Sequence, residues 1–325
     1  MSKRKLIKRF SYKVIPFILL FVPLFITQAY VLHLLIMIAI NVVLASSLRF
    51  VAISGQFSLV HAGMVSIGAY TSTLLVMKLG LSFWAALPLA GLLAMIIALL
   101  VGYPFVRLKG IYFTMVTLFL TEFIRLTAEQ WRSLTGGVSG IIAIPRPNAV
   151  IIPGLLNASF ASKTDFYYLA LIMVAVTLWV LYAIESSRIG MTFLSIQQSD
   201  SLAESLGVNS SGFRVLAFSL GCFFAGIAGA FYSHYLSAIT PASFGFLLSI
   251  YVFIYMVVGG MQRFSGPIIG ACVLTLIPEF ARGFKEYEPF VFAAILLLVI
   301  FFLRGGLVSL PQSLSYYIKK RWSHA

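Results

Sequence analysis

The sequence predicts an all-α protein: a polytopic transmembrane helical bundle of about ten spans (eight to ten), with both the N and C termini cytoplasmic. Three observations carry that reading. The 325 residues are 61% hydrophobic and only 10% charged, and their mean hydropathy of +1.02 lies outside the range of soluble domains. Apolar runs long enough to cross about 30 Å of hydrocarbon as a helix recur along the chain. The short segments of alternating polarity that a membrane β-barrel needs are absent.

The elements follow in order, as one transmembrane domain over residues 1–325. Lys3, Arg4, Lys5, Lys8, Arg9 and Lys13 make a basic tail over 1–13, and a span runs from about Val14 to Ala29. The pair resembles a signal peptide but lacks a small-residue cleavage pattern, so it reads as a retained helix. Tyr30 to Leu48 follows, and Arg49 marks a return to the side of the tail. Ser54-Gly55-Gln56 breaks the chain before a span from Phe57 to Met77. Phe83 to Val106 ends at Arg107 and Lys109, and Ile111 to Ala128 comes next.

Residues 129–164, rich in Gly, Pro and Asn, hold no apolar run and fall outside by alternation. Asp165 to Ile184 then delivers a polar run, 185–212, to the cytoplasm. Phe213 to Leu236, Phe244 to Val258, Phe264 to Ala281 and Pro289 to Leu303 complete the spans. Lys319, Lys320 and Arg321 close the tail over 304–325. The net charge of +14 is thus a topology signal at helix ends. A lipid bilayer is the expected environment, and no nucleic acid is expected.

Small residues shape the packing. Gly63, Ser66 and Gly68 in one helix, and Gly221, Ala225, Gly226, Ala228 and Gly229 in another, let backbones approach closely. Ile67-Gly68-Ala69 is weakly echoed by Ile269-Gly270-Ala271, one in each half. Cys222 and Cys272 have neither metal-ligand spacing nor a disulfide pattern and read as packing residues.

Catalysis finds no support. The chain has no nucleotide-binding glycine loop, no HExxH, no GxSxG and no Cys/His cluster. Only nine acids exist, and His33, His61, His234 and His324 are scattered. Neither an enzyme nor a cofactor or metal is expected. The strongest local signal is the polar run. From Ser201 to Gly207 it has the spacing of a short amphipathic helix, with Leu202, Ala203 and Leu206 apolar. Asp200 or Ser199 can cap its start, and Gly207 ends it. Such a helix can fit a groove on a soluble partner; an ordinary polar loop is the other reading. Glu122 and Arg125, at i and i+3, share a face within a span, where charge is costly and often marks a pathway. They, Gln56, His61 and Tyr112 are candidates to line a substrate path, and each also has a purely packing explanation.

Several stretches together resemble the permeases of branched-chain amino acid ABC importers, LivM type. They are Gly55-Gln56-Phe57-Ser58-Leu59-Val60-His61-Ala62, Arg107-Leu108-Lys109-Gly110-Ile111-Tyr112-Phe113, Thr135-Gly136-Gly137-Val138-Ser139-Gly140 and Ser187-Arg188-Ile189-Gly190. Next come Ala203-Glu204-Ser205-Leu206-Gly207-Val208-Asn209 and Phe224-Ala225-Gly226-Ile227-Ala228-Gly229. Val258-Gly259-Gly260 and Gly266-Pro267-Ile268-Ile269-Gly270-Ala271 close the set. Val60 stands where the family usually carries glycine, and Gln197-Gln198-Ser199 replaces a more charged stretch.

The resemblance implies a bacterial inner-membrane importer subunit for Leu, Ile or Val. Its partners would be a second permease, two cytoplasmic ATPases and an extracytoplasmic binding protein. The polar run would be the coupling loop, with Arg188, Gly190, Asp200, Ala203, Glu204, Leu206, Gly207 and Asn209 as ATPase-coupling residues. A permease for urea, short amides or other amino acids is the alternative within the superfamily. A stand-alone secondary transporter or channel is the alternative from another class; it would favour paired acids mid-membrane, which are missing.

Overall fold

The computed structural model describes residues 28–152, 156–158, 160, 162–281, 290, 293, 297 and 305–309. The expected spans over Val14–Ala29 and Pro289–Leu303, and the tails beyond them, lie almost wholly outside the described residues. The helices are α1 (Ala29–Ala52), α2 (His61–Leu79), α3 (Phe83–Phe105), α4 (Ile111–Gln130), α5 (Arg132–Thr135) and α6 (Lys163–Glu185). They continue as α7 (Arg188–Gln198), α8 (Asp200–Ser205), α9 (Ser210–Leu236), α10 (Phe246–Gly259) and α11 (Gly266–Ala281). Among the described residues seven segments are long and apolar enough to cross a membrane: α1 to α4, α6, α9 and the stretch Pro241–Gly259 that contains α10. α11, 16 residues long, is shorter.

Two long helices form the centre. α1 is apolar on all sides, and from Ile38 onward nearly every residue is buried, the pattern of a core helix. α9 runs antiparallel beside it: Tyr235 Oη lies 2.6 Å from His33 Nδ1, and Gly221 meets the Ser47 carbonyl. α1 packs on α6, α10 and α11, whereas α9 packs on α2 and α3. Glycine makes the second set of crossings possible. A Cβ on Gly68 of α2 would land on the carbonyl oxygen of Gly226, and one on Gly229 would land on that of Val65. Gly226 also faces Gly91 and Ala94 of α3.

Each central helix is followed by a break and a shorter helix. After α1 the chain turns at Gly55, with φ +87, and residues 57–60 are non-helical before α2. After α9 it passes through Ser237, with φ +57, and a 3₁₀ turn at Pro241–Phe244 before α10. Because α1 and α9 are antiparallel, the two units point in opposite directions. The helix expected from Phe57 therefore begins four residues later, at His61. The reason is local: Ser58 Oγ accepts from the Val60 amide, competing with the helical bond. Val60 takes φ −82, so its backbone has no need of glycine.

The all-α expectation holds for the bundle, but four very short strands were not foreseen. β1 (Ile141–Ile142) pairs antiparallel with β4 (Ala238–Ile239), and β2 (Val150–Ile152) with β3 (Leu156–Ala158). Gly140 permits the first pairing, since a Cβ there would strike the Ile239 carbonyl. The segment 129–164 is thereby strapped to the chain after α9. His234 adds to the strap, with Nδ1 2.7 Å from the Pro145 carbonyl and Nε2 2.9 Å from Ser72 Oγ. A neutral ring that donates from Nδ1 and accepts at Nε2 satisfies both.

Candidate functional site

The polar run folds into two helices at the end of the bundle that also carries Arg49, Arg107 and Lys109. α7 starts at Ser187, whose hydroxyl accepts from the Ile189 amide. Its inward face buries Phe193 and Ile196, and Phe193 meets Phe50 and Phe213 edge-on. This helix was missed in the sequence, although Ser187 as a cap and the Phe193/Ile196 spacing announce it. Gly190 is required because a Cβ would strike the carbonyl of Glu185 at the close of α6. Arg188 is exposed.

α8 is the short helix read from Ser201 to Gly207. Ser199 is its cap, accepting from the Leu202 amide, and Asp200 is its first residue. Ala203 turns inward and is buried, whereas Leu202 and Leu206 are 62% and 79% exposed. Glu204 is exposed beside them. Gly207 ends the helix at φ +83 with open space around it. Asn209 then caps α9 through Oδ1 and the Gly212 amide. The outcome is a small apolar knob with an acid beside it, held on a rigid base.

Two ion-pair clusters fasten that base to the bundle. Arg49, at the end of α1, grips Glu185 with two bonds of 2.6 and 2.8 Å and donates Nε to the Met261 carbonyl between α10 and α11. Asp200 Oδ2 lies 2.8 Å from Lys109 Nζ and 3.1 Å from Arg214 Nη1. Burial works to raise the Asp200 carboxyl, but the Lys109 hydrogen bond and the Arg214 charge overrule it and hold it below its ordinary value of 3.8. A depressed carboxylate contributes stability above its unfolded value and loses it only as pH falls through the folded one. The cluster therefore stays formed across the neutral range. In the sequence Arg49 and Lys109 read only as topology markers, and Glu185 and Arg214 carried no role.

The path candidates separate. Gln56 is buried, with Nε2 on the Val106 carbonyl. His61 is fully buried, with Nε2 3.2 Å from Ser47 Oγ. Tyr112 is 68% exposed on α4, in a stripe with Met115, Phe119 and Phe123. Only 22% of the apolar window of α4 is buried, the lowest share among the seven segments. At the edge of the stripe Arg125 bridges Glu122 and Glu129 at 2.7 Å each.

The inner face of α4 serves both breaks. Thr114 donates to the Phe57 carbonyl, Thr117 accepts from the Leu59 amide and Thr121 donates to the Leu59 carbonyl. At the next residue, Glu122 Oε1 accepts from the amide of Phe246, the first residue of α10. Backbone groups freed by broken helices thus find partners on one neighbouring helix, as a low-dielectric surrounding demands. Glu122→Ala is expected to cost about 1.5–3 kcal/mol, the range for a hydrogen bond to a charged group, while Glu122→Gln keeps the cap. Thermal unfolding of the purified variants in detergent checks the order.

Among the described residues no group of three or more His, Cys, Asp or Glu side chains is placed to hold a metal ion. Residues 30–303 match the family described as branched-chain amino acid transport system / permease component. The high-affinity branched-chain amino acid transport permease LivM of Escherichia coli K12 is 30% identical over 279 residues, covering 81% of this chain. The match spans 66% of that relative, just under two thirds of its length. LivH of Salmonella typhimurium is 26% identical over 280 residues, with 80% of this chain and 88% of the relative covered. A putative glucose ABC transporter permease of Haloferax volcanii is 28% identical over 182 residues, 54% of each chain. No solved structure gives a significant match. A family match over most of the chain, on a bundle of broken and crossed helices, places this protein in the branched-chain amino acid transport permease family.

Proposed function

We propose that the chain is one of two permease subunits of an ABC importer in a bacterial cytoplasmic membrane, and that it moves Leu, Ile or Val inward. Two separate ATPases supply the energy, and an extracytoplasmic binding protein delivers the substrate. The chain contributes ten spans with both termini inside, counting the two that flank the described residues. Residues 185–212 face the cytoplasm, and 129–164 face outward, where the strapped loop meets the binding protein. This orientation keeps Arg49, Arg107 and Lys109 inside.

The observation that carries the reading is the knob on α8. Leu202 and Leu206 stand exposed on a helix fastened by Asp200, Phe193 and Glu185, at the polar end of a membrane bundle. An apolar pair on a short rigid helix suits the groove of a soluble partner. Arg188, Glu204 and the Gly207 turn border the knob; Gly190, Ala203 and Asn209 hold its shape, and Asp200 ties its start to the bundle through Lys109 and Arg214. The α4 stripe with Tyr112, Glu122 and Arg125 faces the second permease or the path between the two subunits, because charge at that depth is costly against lipid. Gln56 and His61 secure the first break beneath it.

Co-purification of the tagged chain from native membranes tests the assembly. Two ATPases and a second permease are expected, and the ligand of the cognate binding protein names the substrate. A urea, short-amide or other amino-acid ligand would instead favour the second reading. Leu206→Glu is expected to cut ATPase recovery at least about tenfold, since a desolvated charge costs well over 1.4 kcal/mol. Gly207→Val acts in the same direction, because φ +83 strains any residue with a Cβ. Normal recovery and uptake in both variants would sink the docking role.

A further inference from the structure

We propose that Asp200 is a positioning residue that passes movement of the docked helix α8 into the bundle, through Lys109 to α4 and through Arg214 to α9. This rests on the docking reading above and adds a route to it. Asp200 is the first residue of α8, yet its carboxylate points away from the exposed knob and toward the bundle. One oxygen bridges a lysine on the α3–α4 turn and an arginine at the fifth residue of α9.

Charge balance alone does not call for both partners. The Arg214 side chain, 9% exposed, already matches the single charge of the Asp200 carboxylate, whereas that of Lys109 is 72% exposed. The lysine is surplus to burial, and what it adds is a tie to the turn that starts α4. Gly110 follows it with φ +58 and ψ −130, a conformation that fixes how α4 leaves the turn and that residues with a Cβ avoid. α4 in turn holds both breaks, through Thr114, Thr117 and Thr121 at 57–59 and through Glu122 at Phe246. α9 leads directly into the second break. A shift of α8 therefore reaches, through contiguous polar contacts, both irregular segments, whose freed backbone groups depend on neighbouring side chains for partners.

The test uses the complete transporter in proteoliposomes, reading ATP hydrolysed per substrate taken up together with ATPase recovery. Asp200→Asn is expected to keep the ATPases bound and hydrolysing while the ratio of ATP to substrate rises about fivefold or more, the lower end of ordinary coupling strengths. Asp200→Glu is expected to restore the ratio. Lys109→Gln changes an exposed side chain and leaves folding intact, so it decides the matter if Asp200→Asn does not fold. It should raise the ratio too, and the double variant should add nothing to the larger single effect. An unchanged ratio in Lys109→Gln, or loss of the ATPases from Asp200→Asn in a folded bundle, overturns the proposal. The docking reading is judged separately by Leu206→Glu, so the two can fail independently.

Discussion

Gly68→Val is expected to remove nearly all folded protein from detergent extracts. The reason is a backbone contact that cannot yield. A Cβ on Gly68 falls on the carbonyl of Gly226, and the reciprocal contact joins Gly229 to the carbonyl of Val65. No flexible side chain is there to move aside, so α2 and α9 must separate. Separation also loosens α9 from α3, where Gly226 meets Gly91 and Ala94. The cost exceeds the roughly 1–3 kcal/mol of ordinary overpacking, in a molecule with a margin of only about 5–15 kcal/mol. Leu93→Val, on an exposed face, is the matched control. Size-exclusion of the tagged chains reads the result, and a monodisperse Gly68→Val peak of normal yield would refute the crossing.

Glu185→Ala is expected to destabilise the bundle by about 3–5 kcal/mol, because it leaves the guanidinium of Arg49 buried and unpaired. The Arg49 side chain is only 5% exposed, so water cannot take over the lost bonds. Replacing both partners, as Arg49→Met with Glu185→Met, is expected to recover more than half of that loss, since no charge is then stranded. Thermal unfolding in one detergent compares the three proteins. Equal loss in the single and double variants would show that packing, not charge, dominates there.

Much of this fold was legible in the sequence. Hydropathy placed α3, α4, α6, α9 and α11 within a few residues, because in a membrane length and polarity leave little choice. The α8 helix was legible from Leu202, Leu206 and Gly207, whose period and stop signal are local. Contacts between distant residues were not. Arg49 and Glu185 are 136 positions apart, and nothing local marks either as the other's partner. Thr114, Thr117 and Thr121 read as ordinary helix residues, though their spacing of three and four puts them on one face. Their purpose emerges only once the break at 57–60 lies beside them. The weak echo of Ile67-Gly68-Ala69 in Ile269-Gly270-Ala271 is one of sequence, and the two glycines meet different helices: Gly68 the backbone of α9, Gly270 that of α10. α2 corresponds in the two opposed units to α10, whereas Gly270 lies in α11.

The measurement that bears most directly on the central claim is photo-crosslinking from position 206 in native membranes, with a matched probe at Val138 in the segment proposed to face outward. The account predicts that the probe at 206 captures an ATP-hydrolysing subunit in intact cells and that the probe at 138 never does. Capture of that subunit from 138, or labelling of 206 by a membrane-impermeant reagent added outside the cell, would contradict it.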